Sequence, residues 1–333
     1  MVEETTQNAT PQIIKVSTLE SFYFADLWMT PEKIAYIRDE RTQCALIRLI
    51  SDDMASFYKA LEDGYQGVPS YAIKFGKIAY RVERIMTVTG VQYNCRRMPD
   101  STPKLYDLGL PPMILNHLTT LAKNSGLILF GGPTGMGKTT TASALMQEFL
   151  RTEGGFAYTI EDPPEMPLDG LYQASNGALG LCKQTPVEHE QWGDGLKSAL
   201  RSRPRYILVG EIRTPETASQ TLRAATSGHL VISTVHANSV EDTLNAIIKY
   251  AIAAGLQEGL AADLLARGIL AAVHQKLEGL QTLKPVLHAI FANPNPMAAD
   301  QMRMAIREGK INLATLMEAQ WAKMSQGRPL FKE

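Results

Sequence analysis

The chain has 333 residues with 45% hydrophobic content, long enough for about two domains with sizeable cores. Its 33 basic and 34 acidic side chains leave a formal net charge of −1, which removes any global electrostatic case for nucleic acid or an anionic membrane as the main partner. Three widely spaced cysteines, Cys44, Cys95 and Cys182, exclude a disulfide framework and a four-cysteine zinc site and favour a reducing compartment.

The first residues, MVEETTQNAT, hold neither a basic region nor an apolar core, and no apolar run approaches membrane-spanning length. The chain is therefore expected to be soluble and cytoplasmic, touching a membrane only through partners. Alternating segments at 34–38, 71–75 and 78–82 surround a helical stretch at about 52–61, which reads as a small α+β domain over residues 1–98. Four prolines, Pro99, Pro103, Pro111 and Pro112, then interrupt the pattern before helical periodicity resumes at Ile114. Residues 99–113 read as an interdomain linker. From there to residue 333, apolar strands at 127–130, 156–160, 206–209 and 230–234 alternate with helical stretches, as in a mainly parallel sheet covered by helices. A nucleotide then belongs at the carboxyl ends of those strands. Beyond 293–296 the remainder reads as helical.

The first of those strands runs into Gly132-Pro-Thr-Gly-Met-Gly-Lys-Thr139, which fits the phosphate-binding P-loop without substitution and is followed by a helical stretch from Thr139 to Leu150. In such a turn successive backbone N–H groups point at one anion and the helix N-terminus adds positive potential. The phosphate-holding residues are Gly132, Pro133, Thr134, Gly135, Met136, Gly137, Lys138, Thr139 and Thr140. Lys138 would reach the β- and γ-phosphates of ATP, and the Thr139 hydroxyl would join Mg²⁺.

Three further constellations lie near predicted strand ends. Glu161 and Asp162 follow the second strand and are able to polarise a water or hold a metal-bound water; an acidic turn capped by prolines is the plainer reading of the same residues. Glu211 follows the apolar run 206–209 and supplies the carboxylate that phosphoryl transfer to water needs. The fourth strand is bracketed by His229 and His236. His236 at its far end is placed to sense a γ-phosphate as a neutral donor, whereas His229 reads as structural.

An acid box, a Gly-Glu strand end and a His box follow the P-loop in fixed order, and in this the chain resembles the secretion-superfamily ATPases that power type II and type IV secretion, conjugation and type IV pili. The matching words are Leu108-Gly-Leu-Pro-Pro112, the P-loop, Ile160-Glu-Asp-Pro163, Ile207-Leu-Val-Gly-Glu-Ile-Arg213, Thr226-Ser-Gly-His-Leu230 with Thr234-Val-His236, and Arg307-Glu-Gly-Lys310. The chain looks most like the compact PilT/DotB/TraJ-like branch, which lacks a four-cysteine zinc element.

The resemblance implies a RecA-like P-loop ATPase domain behind a smaller, PAS-like N-terminal α+β domain, and a homo-hexamer whose nucleotide lies between subunits. It implies that Arg81 and Arg96 of the N-terminal domain clamp phosphate; the arginine that the family places between them falls on Thr89, for which Arg84 or Arg97 is a possible substitute. Glu211 orients or deprotonates the attacking water, with Glu161 supporting it. The implied role is ATP hydrolysis with Mg²⁺, energising a type IV secretion or conjugation apparatus from the cytoplasmic face of the inner membrane, with pilus retraction as the alternative. Partners are inner-membrane components of such a machine, and no direct nucleic-acid binding is expected. Two readings from other classes remain: a nucleic-acid translocase and a nucleotide-gated scaffold.

Overall fold

A computed structural model describes residues 13–38, 45–187, 191–279, 284–295 and 298–331. Cys44 and the opening residues used in the reading of compartment lie outside the described residues. The chain divides into two units, Met1–Asp100 and Ser101–Glu333.

The first unit is a seven-stranded sheet with one α-helix among the described residues. Its elements are β1 (Ile13–Val16), β2 (Asp26–Met29), β3 (Ala35–Arg38), β4 (Leu46–Ser51), α1 (Met54–Asp63), β5 (Ser70–Phe75), β6 (Ile78–Thr87) and β7 (Gly90–Arg97). The strand order is β1-β4-β3-β2-β7-β6-β5, and every neighbour pair except β1–β4 is antiparallel. Strand alternation sends Leu27, Tyr80, Val82, Tyr93 and Cys95 into a core where Phe57 of α1 meets Tyr80 edge-on at 5.0 Å. The same period of two leaves Asp26, Arg81, Asn94 and Arg96 on the opposite face. Register then sets Asp26 opposite Arg96, and Arg96 opposite Arg81.

The second unit begins earlier than expected. Residues 101–113, read as part of a linker, belong to it, and Leu105 and Leu110 are buried in its core. Its strands are β8 (Gly126–Gly131), β9 (Gly155–Glu161), β10 (Gly170–Gln173), β11 (Leu179–Pro186), β12 (Tyr206–Val209), β13 (Leu230–Val235), β14 (Ile269–Glu278) and β15 (Lys284–Phe291). Its helices are α2 (Pro112–Thr120), α3 (Lys138–Thr152), α4 (Trp192–Arg201), α5 (Pro215–Ala225), α6 (Val240–Ala253), α7 (Glu258–Gly268), α8 (Gln301–Arg307) and α9 (Ala314–Ser325).

The sheet order is β10-β11-β9-β12-β13-β8-β14-β15, parallel throughout except for the two outer pairs. Every residue of β8, β12 and β13 is buried, because helices cover both faces. Leu115 and Leu118 of α2 and Phe149 of α3 pack on one face. Leu196, Leu222, Leu244 and Leu265 of α4 to α7 pack on the other.

Two buried polar side chains close the far end of the sheet. Arg303 of α8, 3% exposed, donates to the carbonyls of Ala266, Arg267 and Ile269, satisfying acceptors left over where α7 turns directly into β14, and to that of Asn293 just past β15. Gln320 of α9 exchanges two hydrogen bonds with the Phe291 backbone, at 2.9 and 2.7 Å, and so covers part of the edge of β15.

Candidate nucleotide site at the strand ends

Parallel register aligns the carboxyl ends of five strands. Ile160 pairs with Val209, Val209 with Ser233, Val235 with Gly131, and Gly131 with His274. Glu161 at the end of β9 and the groups that follow the other strands, Glu211, His236 and the loop 132–137, are thereby delivered to one end of the sheet.

The loop needs its glycines. Gly135 and Gly137 have φ of +76° and +77°, and Gly137 is the residue from which α3 starts. A Cβ at Gly132 would come within 2.3 Å of the Gln275 carbonyl oxygen. Lys138 is 6% exposed, and its ammonium donates to the carbonyls of Gly132 and Pro133 at 2.8 Å each. Burial pushes this ammonium below the usual lysine value, against the pull of Glu211 and Glu165. The α3 N-terminus, open glycine backbone and buried cation together make a seat for polyphosphate.

The two carboxylates differ. Glu161, 2% exposed, accepts a hydrogen bond from Gln184 Nε2 at 2.8 Å, and the same amide donates to Met166 O. Burial pushes the Glu161 carboxyl up; the hydrogen bonds partly oppose it. Glu211 has both oxygens engaged: Arg213 Nε donates to one at 2.6 Å and His236 Nε2 lies 2.7 Å from the other. Thr139, Glu161, Asp162, Glu211 and Arg213 line a cavity of about 30 Å³, room for one water.

This donor set fits Mg²⁺ held jointly by protein, phosphate and water. Thr139 supplies a hydroxyl and its neighbours supply carboxylates, the hard oxygen donors that such an ion takes. Among the described residues no group of three or more His, Cys, Asp or Glu side chains is arranged to hold a metal alone.

In the first unit, Arg96 makes a two-toothed pair with Asp26 at 2.8 and 3.3 Å, and Arg38 lies 4.0 Å from the same carboxylate. Asp26, Trp28, Arg38, Arg81, Glu83 and Arg96 line a cavity of about 300 Å³. Arg84 lies 4.3 Å over the Tyr65 ring, and Arg97 donates to Phe22 O and Asp100. Both residues weighed as substitutes for the arginine missing at Thr89 are thus engaged within their own unit. His229 lies 2.6 Å from Pro204 O through Nδ1, and Arg205 donates to Ala122 O, so both tie down the turn before β12.

Three residues without a role in the sequence reading touch the site: Gln184, Gln275 and Arg213. Gln184 and Gln275 come from β11 and β14, strands that the sequence reading did not find. Arg213 was visible in the Glu-x-Arg word without any indication that it would turn back onto Glu211.

The family described as "Type II/IV secretion system protein" matches residues 69–320. Competence protein ComGA of Bacillus subtilis is 31% identical over 214 residues, 62% of this chain and 57% of its own length. A twitching motility protein of Neisseria gonorrhoeae is 32% identical over 237 residues, 70% of this chain and 59% of its own. The chain thus spans less than two thirds of either relative.

Among solved structures, the pilus retraction motor PilT with bound ADP superposes with a TM-score of 0.67 at 25% identity, over 93% of this chain and 88% of that one. The Legionella pneumophila ATPase DotB superposes with a TM-score of 0.65 over 95% and 91%, and at 18% identity it supports the fold alone. Both agree with a RecA-like ATPase fold behind a smaller β-rich domain.

Proposed function

This chain belongs to the type II/IV secretion system protein family, and from that premise we propose that it hydrolyses ATP as a homo-hexamer to energise a type IV secretion or conjugation apparatus. The observation that carries the ATPase reading is the convergence of Lys138, Thr139, Glu161 and Glu211 on one end of a parallel sheet.

Lys138 gives up the Gly132 and Pro133 carbonyls to bind the β- and γ-phosphate oxygens, where its buried charge is least screened. Loop amides from 132 to 140, Pro133 excepted, hold the remaining oxygens. Thr139 would contribute its hydroxyl to Mg²⁺, an ion that would neutralise charge on the phosphate oxygens when bound. Glu211, released from Arg213 and His236, orients the attacking water and takes its proton. Glu161 supports that water from the wall of the same small cavity, and His236, once it has let go of Glu211, registers the γ-phosphate. Arg81 and Arg96 clamp the nucleotide of a neighbouring subunit, their planar guanidinium groups suited to phosphate oxygens. Inner-membrane components would receive the motion from the cytoplasmic side. No helix among the described residues is long and apolar enough to cross a membrane.

Pilus retraction is the second reading, favoured by one observation: the PilT likeness, at 25% identity, extends over 93% of this chain. Mass and ATPase rate with and without ATP·Mg²⁺, beside Lys138→Ala and Arg96→Ala, test the shared core of both readings. A nucleotide-stabilised hexamer in which mixing the two dead variants restores turnover is the expected result. A monomer whose turnover survives Arg96→Ala overturns the ring. Deleting the gene and scoring substrate transfer against twitching then separates secretion from retraction.

A further inference from the structure

Strand β14 runs past the phosphate loop and touches it at both ends. The Gln275 carbonyl lies where Gly132 leaves no room for a side chain, and its Nε2 atom lies 3.0 Å from where a Cβ on Gly137 would be. Between those points Gln275 Nε2 donates to Met136 O at 2.7 Å, and the Leu277 N–H faces Met136 Sδ at 3.3 Å. No other side chain of β14 or β15 is hydrogen-bonded to the loop among the described residues.

We propose that Gln275 is a positioning residue for nucleotide binding, whose side-chain amide fixes the Met136–Gly137 peptide so that the Gly137 N–H is presented to phosphate. The peptide group is planar and trans, so its C=O and the following N–H point in opposite directions. Holding Met136 O toward β14 therefore aims the Gly137 N–H away from β14, into the concave side of the loop. Gly137 alone could not hold that orientation, since its positive φ is one of many that glycine adopts readily. An amide fixed before the ligand arrives is worth more than one that must be ordered on binding.

In stability, the gain from the bond to Met136 O is offset by the other end of the amide. Gln275 is 1% exposed, and its Oε1 atom is buried without a hydrogen-bond partner. Leaving a buried acceptor unpaired is costly, and an apolar side chain of equal length would avoid it. Among the described residues the side-chain hydrogen bond of Gln275 goes to the loop.

This inference rests on the ATPase reading, and its test separates the two. Full-length wild type, Lys138→Ala, Gln275→Met and Gln275→Glu are compared for thermal midpoint without nucleotide, for ADP and ATP affinity, and for kcat and KM. Methionine keeps the length and removes the amide, whereas glutamate keeps the shape but offers a carboxylate to Met136 O and to phosphate. The expected result is a midpoint for Gln275→Met near wild type, since loss of the Met136 O bond and removal of the unpaired Oε1 offset each other, with ATP affinity reduced about tenfold, the scale of one hydrogen bond, and a larger loss for Gln275→Glu. Loss should appear in KM and nucleotide affinity before kcat.

Wild-type affinity and KM in Gln275→Met overturn the inference, as does loss of the fold in both variants, which would make Gln275 structural. If wild type itself binds no ATP, or Lys138→Ala binds as well as wild type, it is the ATPase reading that fails.

Discussion

The strand-end cluster of the second unit and the arginine face of the first unit both gather charge, but by opposite means. Lys138 and Glu161 are withdrawn from water, and burial moves both away from their charged forms. The Arg96 side chain is 66% exposed and is steadied by a carboxylate across the strand. Charges in a dry site interact strongly and shift their own titration, whereas exposed pairs contribute little to stability and keep their use for a ligand. The first region is therefore expected to be sensitive in chemistry and in pH response. The second should be sensitive in ligand contact alone.

The sharpest way to break this contrast is Lys138→Ala, which should lower turnover by about a hundred- to a thousandfold, the range for one preorganised charge donor. Retained turnover in a steady-state assay would mean the buried cation is not part of the chemistry. Glu211→Gln should lower kcat by about a hundredfold or more while ADP affinity stays near wild type, as removal of a general base predicts. A variant that still supports transport without turnover would favour the nucleotide-gated scaffold instead.

Arg96→Ala should abolish turnover in the homogeneous ring yet change the thermal midpoint very little, because an exposed pair is worth about 0–1 kcal/mol. A large loss of stability would place Arg96 with the buried charges and erase the distinction between the two regions.

Glu161→Gln sharpens the contrast through pH. Burial raises the folded-state value of this carboxyl, so the unfolded chain ionises first and stability is lost as pH rises above the ordinary value of 4.5. Replacing it by an amide should raise the melting temperature more at pH 8 than at pH 5. An equal shift at both values would mean that Glu161 is ionised without cost.

The smallest effect concerns His117, whose imidazole lies edge-on to Phe291 at 4.3 Å. Burial lowers its folded-state value below the ordinary 6.5, as it does for His274. The unfolded chain then binds more protons in acid, and stability falls as pH drops through 6.5. His117→Phe should flatten part of that acid limb in melting curves. His274 would supply the remainder.

The sequence by itself determined the central strands. The apolar runs at 127–130, 156–160 and 206–209 are bounded by glycines and charged residues, 230–234 follows Gly228-His229, and the four became β8, β9, β12 and β13 with ends shifted by at most one residue. The P-loop spacing and the acids after β9 and β12 were legible for the same reason, since each is a local word at the end of a local signal.

Tertiary structure alone decided the rest. Strand β14 is buried at seven successive positions, Ile269 to Gln275, so it lacks the period of two that marks a half-exposed strand, and it follows α7 with no intervening turn. The contacts of Gln275 with Met136, Gln184 with Glu161 and Asp26 with Arg96 join residues 139, 23 and 70 positions apart. No window of sequence contains such pairs; sheet register brings them together.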